Sequence, residues 1–355
     1  MIKKSMFLLL IFILITGCVS AMPGDLNIDL MDTSGDEVTL TSFPDRIVIA
    51  GKQTPMLANF IYLFDSADDK VIAIENRSQS SNAFLKMVDT HFTEKLTIEK
   101  GAGAEQISPS EPDTVLLKAS MKDQIGDQLE EIGIVPIYVS FETIEEIYRD
   151  TRIIGDLMGN EEKAESIVAF YENTKQNIDN TVSSSPDVPN TLMIQITETD
   201  GRFVYSVPSE NWLQTVMVEE LQGYPVWKDK VNGGGWMEVS IEQIISWQPE
   251  IILIINYQGN SPTIIEKLTS DSVWQGFLEN SSVSLKPIVY DFQSWDQPDP
   301  RWILGYASIA RYLHPDSVPA SIIYDLVRDF YVEFYGLDLS FINSEIIPDI
   351  QFQIE

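Results

Sequence analysis

Three tryptophans stand in positions where a ligand contact competes with a packing role. Trp212, Trp236 and Trp295 each lie in or beside a stretch rich in glycine, proline or polar residues. Tyr205 and Tyr257 border the same kind of segment, as do the hydroxyl of Thr54 and the cations Lys52, Arg77 and Arg301. Flat apolar walls with a few charged or hydrogen-bonding groups suit the capture of a large organic ligand: rings stack on it, and cations grip its oxygens. Direct capture of a bare transition metal needs histidine, cysteine or converging carboxylates. This chain has one cysteine, Cys18, and two histidines, His91 and His314. It therefore makes no intrachain disulfide and no cysteine- or histidine-rich metal cage. Either histidine can still reach one metal, although a lone histidine more often has an ordinary surface or core role. Each candidate also has a plainer reading. Any single tryptophan can belong to the core or its rim, Arg77 to a surface ion pair, and Arg301 to an internal salt bridge in a strongly acidic chain. Trp247, inside an expected helix, and Trp302, at a helix start, read as packing residues.

One piece of sequence occurs twice. Glu105-Gln106-Ile107 is followed after four residues by Pro112-Asp113 and the apolar run from Thr114 to Leu117. Glu242-Gln243-Ile244 is followed after four residues by Pro249-Glu250 and the run from Ile251 to Ile254. The offset is 137 residues throughout. Each copy reads as a short helix, a proline stop and a buried strand. Two copies imply two lobes of similar build, and ligands of such proteins tend to sit between the lobes. Glu105 and Glu242 thereby give an outside partner two matched handles. As helix-start acids favoured by the helix dipole they would also be stable without one.

Lys3 and Lys4 precede a wholly apolar run from Met6 to Ile15. Charge, apolar core and small residues in that order make an export leader, and the run is short for a membrane span. Its end, Ile15-Thr16-Gly17-Cys18, resembles a lipobox, in which the cysteine is lipidated and becomes the first residue. No later segment is long and apolar enough to span. The chain carries 54 acidic and 23 basic residues, and loss of the two leader lysines takes the net charge from −31 to −33. Such a surface repels nucleic acid and anionic bilayers, so a lipid anchor would matter for retention.

The elements that must position these residues follow from hydrophobic pattern and turn chemistry. About 335 residues after the leader exceed what one core usually serves. Residues 1–18 are the leader and 19–142 an N-terminal α/β lobe. A hairpin at Leu26–Asp32 and Glu37–Leu40 opens this lobe. Strands follow at 47–50, 71–74, 114–117 and 135–139, with helices at 55–64 and 122–131. Residues 143–185 contain a proline-free amphipathic stretch read as one long connecting helix, bent or broken near Gly159. Residues 186–355 form a C-terminal α/β lobe. Its strands are expected at 191–196, 251–255 and 288–292, and its closing helices at 303–313 and 320–336. The fold class is α/β: two Rossmann-like lobes joined by one long interlobe helix, with a ligand cleft between them.

With these motifs in place, the chain resembles the helical-backbone (class III) periplasmic-binding-protein family. These are substrate-binding lipoproteins of ABC importers for iron–siderophores, haem, cobalamin and, in some members, molybdate or tungstate. The repeated Glu-x-x-x-x-x-x-Pro-[Asp/Glu] element carries most of the resemblance. The interlobe helix and the Asp296-x-Pro298-x-Pro300-Arg301 stretch before Leu304-Gly305 add to it. The resemblance implies that Glu105 and Glu242 dock on arginines of a permease dimer that works with its ATPase, and that Cys18 holds the protein at the extracytoplasmic face of the membrane. It also implies a monomer with no cofactor of its own and a transported ligand in the cleft. The expected cleft set is Lys52, Thr54, Arg77, Tyr205, Trp212, Trp236, Tyr257, Trp295 and Arg301, without a protein-bound metal.

Scarce metal ligands and abundant aromatics favour a metal chelate over a bare ion. An iron–siderophore leads, and a corrinoid (cobalamin) is the alternative. Molybdate or tungstate comes third, with Gly51, Thr54 and the loop at Asn232 to Gly235 as donors. Haem, with Tyr205 or Tyr257 as ligand, is less favoured. An enzyme is the competing class, but the chain has no Gly-x-Ser-x-Gly, no phosphate loop and no His-Glu-x-x-His. A purely structural surface protein is the other alternative.

Overall fold

The structure, a computed structural model, describes residues 28–35, 37–76, 82–183, 187–231, 233–257 and 261–354. Cys18 with its leader, Asn232 and Arg77 lie outside the described residues. Ile28–Met31 (β1) and Glu37–Leu40 (β2) pair antiparallel as the opening hairpin.

Five strands then form the first sheet: Ile47–Ile49 (β3), Val71–Glu75 (β4), Leu96–Ile98 (β5), Thr114–Lys118 (β6) and Val135–Val139 (β7). Their order is β5-β4-β3-β6-β7, and every pairing is parallel. The intervening helices are Thr54–Ile61 (α1), Ala67–Lys70 (α2), Ala83–Val88 (α3), Ala104–Ile107 (α4) and Asp127–Glu131 (α5). All of β3 and β6 is buried, because helices cover both faces of a parallel sheet, and that is why β3 and the middle of β6, Val115 to Leu117, are apolar without alternation. Strand order reverses between β3 and β6, which makes the loops beyond their carboxyl ends the natural place for a ligand.

The connector differs from the single long helix expected over 143–185. It is two helices, Ile144–Met158 (α6) and Glu161–Val182 (α7). Gly159 between them takes φ 69°, the left-handed conformation that ends a helix most cheaply in glycine. Asn160 then caps α7 by accepting the Lys163 N–H. The chain folds back here. Arg152 Nε donates to Glu165 Oε1 at 2.7 Å, whereas a straight helix would put these residues about 20 Å apart. The strut leading into the second lobe is therefore α7 alone, 22 residues and about 33 Å long.

The second lobe contains Asn190–Thr199 (β8), Arg202–Val207 (β9), Leu213–Glu220 (α8), Tyr224–Pro225 (β10), Met237–Val239 (β11), Ile241–Ser246 (α9) and Ile251–Ile255 (β12). Ser261–Ser270 (α10), Ser272–Glu279 (α11) and Ser284–Pro287 (β13) follow. Trp302–Leu313 (α12), Ala320–Tyr335 (α13), Leu339–Phe341 (α14) and Ile347–Ile354 (α15) close the chain. The sheet runs β11-β9-β8-β12-β13, with β10 beside β8. β10, β8, β12 and β13 pair in parallel, whereas β9 alone is reversed and pairs antiparallel with β8 on one side and β11 on the other. The last strand lies upstream of the expected 288–292. Its pairing with β12 ends at Pro287, opposite Ile254, and Ile288 and Val289 are buried in the turn beyond it.

The repeat has a physical explanation at each conserved offset. Gln106 and Gln243 each reach back to the N–H that begins their helix, Gly103 and Ser240, at 2.9 Å in both lobes. The acid after the proline secures the neighbouring strand. Asp113 accepts the N–H groups of Asp45 and Arg46 before β3, and Glu250 accepts that of Asn190 at the start of β8. Thus β3 and β6 in one lobe correspond to β8 and β12 in the other.

Candidate ligand-binding cleft

The loops at the carboxyl ends of the central strands of each lobe define the two walls. In the first lobe Gly51 to Thr54 link β3 to α1. Gly51 has φ 83°, and a Cβ there would meet Met121 Cγ at 2.9 Å, so the turn requires glycine. The buried carboxylate of Glu75, at the end of β4, accepts the Gly51 N–H at 2.6 Å and the Gly101 N–H at 2.8 Å. Thr54 is wholly buried and its hydroxyl donates to the Glu75 carbonyl at 3.0 Å. Thr54 is therefore part of the scaffold rather than a ligand contact, and the Gly51 N–H expected to serve an oxyanion already serves Glu75. Lys52 is exposed on this turn. Lys118, at the end of β6, is buried and paired with Glu142 Oε1 at 2.7 Å; its Nζ also donates to the Ser140 carbonyl. Burial pushes its ammonium below the usual lysine range.

The second lobe supplies an aromatic wall. Trp236 meets Trp212 edge-to-face at 5.7 Å and Tyr257 edge-to-face at 6.0 Å, and all three are half-buried. Tyr257 follows β12 directly, Trp212 precedes α8, and Trp236 precedes β11, whose Met237 pairs with Val207 at the end of β9. Three distant stretches thus converge because β12, β8, β9 and β11 lie side by side.

A carboxylate stands behind the rings. Tyr257 donates its hydroxyl to Asp296 Oδ2 at 2.5 Å, Gln214 donates to the same oxygen at 3.1 Å, and Ser294 donates to Oδ1 at 2.5 Å. Burial is the main influence on both partners: it raises the Asp296 carboxyl above the usual carboxylate range and the Tyr257 phenol well above its own. With its proton held by Asp296, the Tyr257 oxygen offers lone pairs rather than a hydrogen to a neighbour.

Three expected contacts belong elsewhere. Trp295 has 0% exposure and is core. A Cβ on Gly305 would strike the Trp295 carbonyl at 2.1 Å, so glycine there lets the Trp295 segment press onto α12. Arg301 also has 0% exposure. Its guanidinium pairs with Asp299 Oδ1 at 2.9 Å and Asp291 Oδ1 at 3.3 Å, and its Nε donates to Tyr331 Oη at 2.8 Å. It is the internal salt bridge, not a grip on ligand oxygens. Tyr205 accepts the Trp274 Nε1–H at 2.9 Å and packs on Trp274 and Phe203 rather than on the three-ring wall. Trp247 and Trp302 pack as expected, Trp302 fully and Trp247 partly buried.

Arg301 and its acids form a seam between lobes that the residue pattern did not reveal. Asn59 of α1 donates to Asp299 Oδ2 at 2.5 Å, and Tyr335 of α13 donates to the Asn59 carbonyl at 2.8 Å. Phe84 of α3 packs on Phe292 at 5.1 Å and Tyr335 at 4.7 Å, with the Arg301 guanidinium 4.1 Å above its ring. Glu105 and Glu242 are exposed in the first turns of α4 and α9. A cavity of about 560 Å³ lies apart from the cleft, at the opposite end of the second sheet, lined by Glu250, Ser284, Lys286 and Arg311 among others.

Known proteins place this architecture. Over 301 residues the chain is 24% identical to the uncharacterized ABC transporter substrate-binding lipoprotein YvrC of Bacillus subtilis, covering 81% of this chain and 85% of that protein. Over 123 residues it is 27% identical to the molybdate-binding protein MolA of Haemophilus influenzae, covering 34% and 33% of the two chains. The crystal structure of a periplasmic solute binding protein from Veillonella parvula superposes with a TM-score of 0.75 at 20% identity, covering 91% of this chain and 98% of that one. Residues 67–278, spanning parts of both lobes, match the family described as periplasmic binding protein. The chain is a member of the periplasmic binding protein family.

Proposed function

We propose that this protein is the extracytoplasmic substrate-binding lipoprotein of an ABC importer, and that it captures an iron–siderophore-type metal chelate between its lobes. The observation that carries the ligand reading is the half-buried wall of Trp212, Trp236 and Tyr257 backed by Asp296. Such a wall suits the broad apolar face of a chelate, and Lys52 on the facing lobe is available for its oxygens. Glu105 and Glu242 would dock on the permease, one from each lobe, and Cys18 would carry the lipid. The likeness to YvrC supports the importer and lipoprotein parts of this reading.

An oxyanion is the second reading, favoured by the likeness of a third of the chain to MolA. The commitment of Gly51 and Thr54 to Glu75 weighs against it, since a bare oxyanion needs free N–H and hydroxyl donors. The same aromatic wall would also suit a corrinoid. Titration with a ferric trihydroxamate, a ferric tricatecholate, a corrinoid and molybdate, followed by tryptophan fluorescence, tests these readings together. Saturable quenching by a ferric chelate is expected. A response to molybdate alone replaces the chelate by an oxyanion, a response to corrinoid alone makes that the ligand, and no response to any solute removes the importer reading.

A further inference from the structure

Two adjacent carboxylates meet an imidazole from further along the chain. Asp68 and Asp69 lie in α2, and His91 follows α3. One oxygen of each carboxylate and one ring nitrogen of His91 lie within 4.8 Å of one another. We propose that Asp68, Asp69 and His91 form a site for a divalent transition-metal ion on the flank of the first lobe, separate from the ligand cleft.

The geometry is set without the ion. Asp89 is buried; it accepts the His91 N–H at 2.8 Å and the Tyr62 hydroxyl at 2.5 Å, which secures the loop that carries the imidazole. Lys95 clips that loop to α2, which bears the two acids, and to the start of β4. Its Nζ contacts Asp89 Oδ2 at 3.1 Å and donates to the backbone carbonyls of Asp68 and Val71. The backbone segments that carry the donors are thus tied together by a mostly buried frame, while the donors themselves reach solvent.

The nearby cations are engaged elsewhere. Lys95 faces Asp89, and Lys70 donates to the Pro44 carbonyl and stands 3.5 Å from Asp45. Among the described residues, neither Asp68 nor Asp69 has a salt bridge that would compensate its charge. A hydrated divalent ion would supply that compensation. The imidazole selects the kind of ion: nitrogen donors suit zinc, nickel or cobalt, whereas calcium and magnesium prefer oxygen alone. Three protein donors leave the remaining coordination positions to water.

Zinc binding by the whole protein, measured by calorimetry in high salt, tests the site, because salt suppresses diffuse binding to an acidic surface. One zinc ion should bind, with affinity lowered at least about tenfold by His91→Ala and by Asp69→Asn. Asp65→Asn, an exposed acid on the same turn, should leave binding unchanged. Zinc should also raise Tm in the wild type and not in His91→Ala. Equal zinc affinity in wild type and His91→Ala overturns the site. So does calcium binding as tight as zinc, which would mark a general property of the acidic surface.

Discussion

Two aromatic groups with buried carboxylates lie on the inner surfaces of this protein, and they are used differently. At the seam, Phe84, Phe292, Tyr331 and Tyr335 surround Arg301, whose guanidinium lies between 4.1 and 6.0 Å from their ring centres and pairs with Asp291 and Asp299. The protein fills this group with its own cation, which is fully buried. At the cleft, Trp212, Trp236 and Tyr257 lean on one another before Asp296, yet stay half exposed, and among the described residues no lysine or arginine stacks on them. The filled group joins the lobes; the open one is the site proposed for the solute. The same residue types therefore take opposite roles according to whether a side chain of the fold completes them.

Perturbing each group separately should break this contrast in a defined order. The largest effect belongs to the seam. Arg301→Ala leaves Asp291 and Asp299 buried without their cation and should destabilise the fold by about 3–5 kcal/mol, read by urea denaturation. A loss below about 1 kcal/mol would mean that the seam is solvated. Trp295→Ala should also cost about 3–5 kcal/mol, as truncation of a core tryptophan. Trp236→Ala, by contrast, should weaken chelate binding at least about tenfold, equivalent to 1.4 kcal/mol, with little change in urea midpoint. If Trp295→Ala proves stable and binding-deficient while Trp236→Ala is silent, the two groups have been assigned in reverse.

Smaller effects sharpen the comparison between lobes. The double variant Glu105→Ala with Glu242→Ala should reduce permease-dependent uptake while leaving ligand affinity and stability unaltered, because both acids are exposed. Each lost charge contact would cost roughly 0.2–1 kcal/mol if it behaves as a surface pair. A loss of ligand affinity in this variant would remove the docking role. The smallest effect concerns Asp296. Burial raises its carboxyl above the usual aspartate range, so the folded state holds a proton more firmly than the unfolded chain. Its contribution to stability therefore falls as pH rises from about 4 through the folded-state value. Asp296→Asn should flatten that part of the profile in urea titrations. An unchanged slope would mean that the donors from Tyr257, Gln214 and Ser294 already compensate the buried charge.

Much of the architecture is written in local pattern. The doubled Glu-Gln-Ile and Pro-acid element announced two related lobes, because helix capping by Gln106 and Gln243 and strand-entry bonding by Asp113 and Glu250 are short-range requirements. Buried parallel strands carry unbroken apolar runs and stand out at β3, β6 and β12. Gly159 signalled a break in the connector, but only the Arg152–Glu165 contact shows that the chain turns back there. Loop position drew attention to Trp212, Trp236 and Tyr257, and equally to Trp295 and Arg301, which are core. The deciding facts for those two are Gly305 beneath Trp295 and two aspartates around Arg301, none of which loop composition reveals. His91 looked solitary as a metal ligand until the fold brought α2 beside it.

The sequence by itself determined the central buried strands and most of the longer helices, that there are two lobes, and that cysteine- or histidine-rich metal cages are excluded. These follow from periodicity, capping and residue supply, all properties of the chain read locally. Strands β5, β9 and β11 and the true position of the last strand were not legible in it. Tertiary structure alone decided which aromatic residues gather half-buried beside one another, which cation is spent inside, and which acids meet a histidine. Those outcomes depend on groups tens to hundreds of residues apart, such as Asn59 with Asp299 across 240 positions. Burial and charge pairing are fixed by whatever the fold sets opposite a side chain, and the side chain's neighbours in sequence do not carry that information.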